Sequence, residues 1–148
     1  MSMFSTLEIS ASALGAERQR AEVVASNLAN ANTTRTTEGG PFRRKEVVFT
    51  SSGTLPFRLA LHHVSSFLAR ETSAVRVERV INDPKDPIMR YEPGHPDANP
   101  QGYVAYPAIN PIQEMVDLMG AVRAYQLNSA AVSASKQILQ AAIDILRG

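Results

Sequence analysis

Residues 25–34 read ASNLANANTT, and this stretch closes an alanine-rich segment with a helical pattern. It holds four alanine or serine residues, three asparagines and one leucine, so its side chains offer little apolar area. Hydrophobic stabilisation scales with the apolar area that is buried, and a helix this thin gains little of it alone. Asparagine tolerates the left-handed conformation that ends helices, which predicts a stop at Asn30 or Asn32. The pattern favours a helix whose partner surface lies in another molecule.

Before this stretch, apolar residues recur at heptad spacing, which is typical of a coiled-coil seam. Ser5 and Glu8 have the spacing of a capping box, so the regular helix is predicted to begin near Thr6. One line of the seam consists of Leu7, Leu14, Ala21 and Leu28. The interleaved line consists of Phe4, Ala11 and Ala25, and Arg18 interrupts it.

The last segment repeats this design with larger side chains. Asn110 is a favourable N-cap, and Pro111 suits the first helical position, where a missing N–H costs nothing. At about 1.5 Å per residue the predicted helix spans roughly 50 Å. Ser129 and Lys136 interrupt an apolar line that comprises Met115, Leu118, Val122, Tyr125, Val132, Leu139, Ile143 and Leu146.

The middle of the chain has a different composition, because all nine prolines lie between positions 41 and 111. Short strands are predicted at 46–50, 57–63 and 74–82, with a weaker one at 103–106. Residues 82–102 are predicted to be mostly turn. The sequence therefore predicts an α+β fold with three parts: an N-terminal helix within 1–32, a β-rich central region with a proline-rich loop at 33–110, and a C-terminal helix at 111–148. The two long helices are expected to form a coiled-coil-like pair around a small irregular insert.

Pairing the end helices with each other covers only part of their apolar surface, because Val116, Met119 and Leu127 flank the C-terminal seam. Monomers seldom expose contiguous apolar patches beyond a few hundred Å². The pattern therefore favours a subunit of a filament or bundle. Two alternatives stay open: a small α+β monomer with the end helices as core and the strands as lid, and a coiled-coil adaptor or regulatory protein that forms a closed oligomer.

Composition excludes several classes of function. Fifteen basic and fourteen acidic residues leave a formal charge of +1, which gives no field for nucleic acid or an anionic membrane. The chain has no cysteine, which excludes disulfides and thiolate catalysis. No cleavable signal peptide and no transmembrane segment are predicted. The chain is expected either to stay inside the cell or to be exported by a route that leaves no cleavage signature.

Three segments resemble the bacterial flagellar axial proteins of the rod and hook. They are VASNLANANTT near the start, PGHPDANPQGYV in the middle and NPIQEMVDLMGAVRAYQLN near the end. The first and last resemble rod and hook proteins in general, whereas the central segment resembles a rod protein. Its family-signature residues are Gly94, His95, Pro96, Asp97, Asn99, Gly102 and Tyr103.

This resemblance implies a structural subunit of the basal-body rod, which assembles helically through its terminal helices and transmits torque. It implies, as partners, copies of the chain and other rod and basal-body proteins, and export through the flagellar type III apparatus to a periplasmic rod without a cleaved signal. No cofactor, metal, nucleic acid or membrane insertion is expected. The predicted assembly interface comprises Leu7, Leu14, Ala21, Asn27, Leu28, Asn30, Met115, Leu118, Val122, Tyr125, Val132, Leu139, Ile143 and Leu146.

Catalytic and metal-binding interpretations have weak support. His95 and Asp97 have no accompanying nucleophile motif. Together with Asn99, they are expected instead to hydrogen-bond to a neighbouring subunit or to their own backbone. His62 and His63 would point to opposite faces of a strand, which is poor geometry for one metal ion. Ser133 and Lys136 match S-x-x-K without the other motifs of penicillin-binding enzymes.

Overall fold

The computed structural model describes residues 3–52 and 74–147, and it confirms the α+β fold. Two long helices flank a small β-rich region with two antiparallel sheets. In chain order the elements are α1 (Met3–Ala29), β1 (Lys45–Ser52), β2 (Ala74–Asn82), β3 (Ile88–Tyr91), β4 (Tyr103–Tyr106) and α2 (Pro111–Arg147).

The start of α1 differs from the prediction, whereas its end agrees with it. The helix begins at Met3, so Ser5 and Glu8 lie inside it and the predicted capping box at its start is wrong. The helix ends at Ala29, next to the predicted stop, but no non-glycine residue in the described ranges has a positive φ. The Asn30 side-chain amide instead donates to the Ser26 carbonyl at 2.9 Å. This hydrogen bond satisfies an end carbonyl without a left-handed residue.

The start of α2 agrees with the prediction. The Asn110 side-chain oxygen accepts a hydrogen bond from the Ile112 N–H at 3.0 Å, and its carbonyl accepts one from the Glu114 N–H at 3.1 Å. These are the bonds of an N-cap residue, and Pro111 follows as the first helical residue.

The sheets are short hairpin-like pairs. β1 pairs with β2 from Lys45↔Asn82 to Ser52↔Ala74, with a bulge between Val48 and Phe49. β3 pairs with β4 from Ile88↔Tyr106 to Tyr91↔Tyr103. The strands predicted at 46–50, 74–82 and 103–106 are confirmed, and the first is longer than predicted. The predicted strand at 57–63 lies outside the described residues. The prediction that 82–102 is mostly turn is wrong at β3, which is a strand of four residues within the proline-rich sequence.

The helices α1 and α2 pack against each other in antiparallel order, because Asn27 near the end of α1 contacts Glu114 near the start of α2. On α2 the most buried residues lie one position before the predicted heptad line, which rotates that helix by about 100°, whereas on α1 the predicted line and the line before it are both at least half-buried. Buried or half-buried residues follow three- and four-residue steps along both helices. They are Ser10, Ala13, Glu17, Arg20, Val24 and Asn27 on α1, and Glu114, Asp117, Ala121, Ala124, Asn128, Ala131 and Ser135 on α2.

The core of the described residues is thin. Its buried hydrophobic residues are small or medium in size: Ala16, Val24, Ala31, Val104, Ile109 and Ala121. Larger apolar side chains of α2 are exposed instead, which is unusual for a helix that packs on only one side. The chain thus folds with little of its own large apolar surface inside.

Candidate functional site

A buried carboxylate joins both helices to the β-rich insert. Glu114 is 1% exposed, and its Oε1 accepts a hydrogen bond from Arg44 Nε at 2.6 Å. Its Oε2 accepts a second hydrogen bond from Asn27 Nδ2 at 3.1 Å. We name Asn27, Arg44 and Glu114 the junction cluster. It connects the end of α1, the start of β1 and the first turn of α2.

The Asn27 side chain also pairs with the main chain of Lys45, as a neighbouring strand would. Its Nδ2 donates to the Lys45 carbonyl at 2.8 Å, and its Oδ1 accepts from the Lys45 N–H at 2.9 Å. The side chain is fully buried, and these hydrogen bonds satisfy both of its polar atoms within the chain. The predicted interface residue Asn27 therefore has an internal role in this structure.

Arg44 lies among several carboxylates. Besides Glu114 it contacts Glu46, and its guanidinium nitrogens lie 3.9 Å from carboxylate oxygens of both Asp83 and Asp117. Burial lowers the pKa of Arg44, but the hydrogen bonds and charges of Glu114 and Glu46 outweigh it and raise the pKa above its ordinary value. Arg44 therefore stays charged and balances the buried Glu114.

The family-signature loop is bound to the exit of α1. Thr34 Oγ1 donates to Asp97 Oδ2 at 2.8 Å, and Arg35 Nη1 lies 3.7 Å from Asp97 Oδ1. The Asp97 N–H donates to His95 Nδ1 at 3.1 Å. The expected main-chain partner is found for His95, whereas the Asp97 carboxylate contacts the side chains of Thr34 and Arg35 instead of its own backbone.

Asn99 and Gly102 shape the end of the same loop. Asn99 Oδ1 accepts hydrogen bonds from the Gln101 N–H at 3.0 Å and the Tyr103 N–H at 2.9 Å. Gly102 has a φ of 82°, and a Cβ there would lie 2.8 Å from Tyr91 Cε2. Only glycine fits this left-handed position without displacing the Tyr91 ring. The conformation of the turn is therefore fixed by the Asn99 side chain and by Gly102.

Aromatic contacts fix the hairpin of β3 and β4. The Tyr106 hydroxyl donates to Glu92 Oε2 at 2.8 Å, which raises the pKa of Tyr106. The Arg90 guanidinium lies 4.6 Å from the centre of the Tyr106 ring, and the His95 ring packs edge-on to it at 6.3 Å. His95 is thus held by a main-chain hydrogen bond and an aromatic ring, an arrangement that needs no substrate.

The structure places the predicted interface residues on the flanks of the helix pair. Asn30 and seven apolar members are half-buried: Leu7, Leu14, Ala21, Leu28, Leu118, Val132 and Leu139. Five others are exposed: Met115, Val122, Tyr125, Ile143 and Leu146. These five side chains are 43–86% exposed and therefore present apolar surface to solvent.

A continuous apolar surface occupies the outward side of the first three turns of α2. Met115, Met119 and Val122 are 51%, 55% and 43% exposed, respectively. We name this surface the outer stripe, and it consists of Ile112, Met115, Val116, Met119 and Val122. Their spacing of three and four residues places them on neighbouring parts of one helix face. The stripe is an exposed hydrophobic patch of the kind that marks interaction sites.

Two open grooves border the 36–41 turn. One has a volume of about 500 Å³ and is lined by residues that include Thr36, Arg43 and Lys45. The other, of about 400 Å³, is lined by residues that include Thr34 and Asp97. His95 lines neither groove. Within residues 3–52 and 74–147, no cluster of three metal-ligating side chains occurs, and no helix is long and apolar enough to cross a membrane.

Sequence reasoning missed Glu114 and Arg44. Glu114 stands among apolar residues in the predicted helix, and Arg44 belongs to the basic triplet 43–45 that suggests a solvated strand entrance. Burial of either depends on contacts with residues 70 positions away in the chain. The only available signal was a carboxylate within an apolar turn.

Comparison with known proteins agrees with this architecture. Residues 7–35 match the family described as flagella basal body rod protein, and residues 101–145 match the family described as flagellar basal body rod FlgEFG protein C-terminal. These two segments contain most of the helix pair and the ends that meet at the junction cluster. The fold and the matches define a flagellar basal-body rod protein.

Individual relatives narrow the family. The flagellar basal-body rod protein FlgC of Bacillus subtilis is 41% identical over 149 residues, covering 98% of this chain and 99% of the relative. FlgC of Borreliella burgdorferi is 34% identical, with both chains covered completely. FlgC of Escherichia coli O157:H7 is 35% identical over 94% of each chain. The chain belongs to the FlgC family, and it is a structural subunit of the flagellar basal-body rod.

Proposed function

We propose that the chain joins the rod by packing the outward faces of its terminal helices against neighbouring subunits in a helical array that transmits torque. The outer stripe is the observation that carries this proposal. The seam between α1 and α2 is largely filled by small and polar side chains, and the apolar residues of the outer stripe stay exposed beside it. Burial on a neighbour removes this apolar surface from water.

The assembly interface consists of the predicted residues without Asn27, which the junction cluster uses internally. Leu7, Leu14 and Leu28 form the α1 flank, and Val122, Tyr125 and Ile143 belong to the α2 flank. Residues 1–32 and 111–148 form the inner layer of the rod, and the central region 33–110 faces outward. Contacts that do not close under rotation generate an open helix, whereas an adaptor with closed symmetry would need a self-complementary patch.

Folding is completed during assembly. Ordering costs about 1 to 2 kcal/mol per residue, and the last turns of α2 have no burial to offset it, because all residues from 140 to 147 are exposed. These turns are frayed in an isolated subunit and become ordered against a neighbour. A subunit with frayed ends suits export through the type III apparatus without a cleaved signal, followed by assembly in the periplasm.

The partners are copies of this chain and other rod and basal-body proteins. The chain acts without catalysis, cofactor or metal. In support of this proposal, His95 and Asp97 form hydrogen bonds with the chain's own groups. The role is mechanical, and long helix contacts that share load serve it.

Assembly is tested by Met119→Glu in a motile bacterium whose own copy of the protein has been deleted. Met119 is exposed, so the charge costs the isolated chain little, but it places a carboxylate in the apolar contact. We expect swimming in soft agar to be lost and the protein to be absent from purified basal bodies. Circular dichroism of the isolated variant should match that of the parent.

Gln113→Glu is the matched control, because Gln113 is exposed on the same helix and is not a member of the outer stripe. It should restore swimming and incorporation. If Met119→Glu restored both as well as Gln113→Glu does, the outer stripe would not be an assembly surface.

A further inference from the structure

Over much of the seam between α1 and α2, the side chains do little to fix the register of one helix against the other. On α2 it continues from Ala121 through Ala124, Asn128 and Ala131 to Ser135, and on α1 it runs from Ser10 and Ala13 through the larger Glu17, Arg20 and Val24. The α2 side chains are small and leave shallow ridges, so a shift by one heptad presents α1 with other small residues. Apolar packing alone therefore favours neighbouring registers almost equally.

The junction end of the same seam is charged and specific. Glu114 is buried and has both oxygens hydrogen-bonded, one to Arg44 and one to Asn27. A heptad shift would carry Glu114 about 10 Å along α1, away from Asn27. It would leave a buried carboxylate without these partners, which is among the costliest changes inside a protein.

We propose that the junction cluster sets the register of the helix pair and couples that register to the position of the insert. A single buried polar group is the best-attested means of fixing register in paired helices. Asn27 binds Glu114 and the main chain of Lys45 together, so the insert is fastened only when the helices are in register.

This inference concerns the chain by itself and does not rest on the proposed assembly. It has a consequence for assembly, because register determines where the outer stripe of α2 stands relative to the exposed face of α1. A neighbouring subunit that contacts both helices would fit poorly against a pair in a shifted register, because the outer stripe would be displaced along α1.

Cysteine pairs measure the register, since the chain contains no cysteine. Counting ten residues back from Asn27 and ten forward from Glu114 places Glu17 opposite Ala124. The pair Glu17→Cys with Ala124→Cys reports the observed register. The pair Ser10→Cys with Ala124→Cys reports a slip of one heptad. Both are made in the full chain, and disulfide yield is measured by mobility shift under mild oxidation.

We expect the Glu17 pair to exceed the Ser10 pair by at least about tenfold in the parent chain, which corresponds to one well-populated register. In Glu114→Leu the ratio should fall to within about twofold. Glu114→Gln is the matched control, because it keeps the size and the hydrogen-bonding ends of the side chain and should retain most of the preference.

A ratio unchanged by Glu114→Leu, with helical content preserved in circular dichroism, would show that the chain connections set the register and would overturn the inference. If Glu114→Leu lost its helical content, the ratio in Asn27→Ala would decide, since that change removes the α1 side of the cluster. A preserved ratio there would also overturn the inference, and a collapsed ratio would support it. Equal yields of the two pairs in the parent chain would contradict the inference directly.

Discussion

The two ends of the helix pair are built differently. At the junction end, residues 20–30 of α1 and 110–122 of α2 meet around a buried carboxylate, an arginine and an asparagine that also binds the insert. At the free end, residues 4–13 of α1 lie opposite residues 128–137 of α2, where the seam holds alanine, serine and asparagine, and residues 140–147 of α2 are wholly exposed.

This difference separates what the chain completes alone from what it leaves to other subunits. Hydrogen bonds and ion pairs at the junction end hold the helices and insert as one unit. The free end has fewer polar contacts: the Ser12 hydroxyl accepts a hydrogen bond from the Val75 N–H at 3.1 Å, but the exposed last turns of α2 have too little burial to offset their ordering entropy. Stability should therefore fall from the junction end to the free end.

The largest effect should follow Glu114→Ala, which removes one partner of a buried ion pair. We expect a loss of about 2–4 kcal/mol in the free energy of unfolding, because Arg44 Nε and Asn27 Nδ2 each lose a buried hydrogen-bond acceptor, while Arg44 keeps its contact with Glu46. Urea unfolding of the isolated chain, followed by circular dichroism, measures this loss.

The free-end control is Ser135→Ala, at the same kind of seam position. It should cost less than about 1 kcal/mol, since a small side chain replaces another of similar size. If the two variants lost equal stability, the distinction between the two ends would be wrong.

A smaller effect separates two glycines. Gly102→Ala should cost about 1–3 kcal/mol, because alanine is strained at a φ of 82° and its Cβ would lie 2.8 Å from the Tyr91 ring. Gly120→Ala should instead stabilise the isolated chain by up to about 1 kcal/mol, because nothing lies within 4 Å of a Cβ there and alanine favours a helix. Thermal unfolding of both variants checks the two signs. A stabilising Gly102→Ala would refute the tight contact between β3 and the family-signature loop.

Gly120→Ala also tests whether a helix of a neighbouring subunit approaches α2 closely in the rod. Open space around Gly120 in one chain is room for a close helix from a neighbour. We expect the variant to fold well and to complement swimming poorly. Full complementation would mean that no neighbour approaches this position closely.

The fold was largely predictable from the sequence, because its helices are marked by strong local signals. The absence of proline from both ends and the N-cap at Asn110 correctly predict where α2 begins. The strand β3 was missed, since its four residues lie within a stretch dominated by turn-forming residues. Pairing with β4 stabilises it, and such pairing is not a property of the local sequence.

On α2 the most buried residues lie one position before the predicted heptad line for a physical reason. Heptad analysis selects the largest apolar side chains, such as Met115 and Val122, and assigns them to the contact between helices. In this chain the buried positions of α2 are Glu114, Ala121 and Ser135, whereas Met115 and Val122 are exposed and stay predicted assembly residues. The junction cluster was also beyond prediction, because Glu114 and Arg44 meet only through tertiary packing.

Hydrogen exchange tests the central claim most directly, with the dilute isolated chain compared with purified basal bodies. In the isolated chain, amides of residues 133–147 should exchange at least about tenfold faster than those of residues 112–122, and in the rod both should be strongly protected. Residues 133–147 that are already as protected as 112–122 in the isolated chain would contradict the claim that the free end of the helix pair is completed by neighbouring subunits.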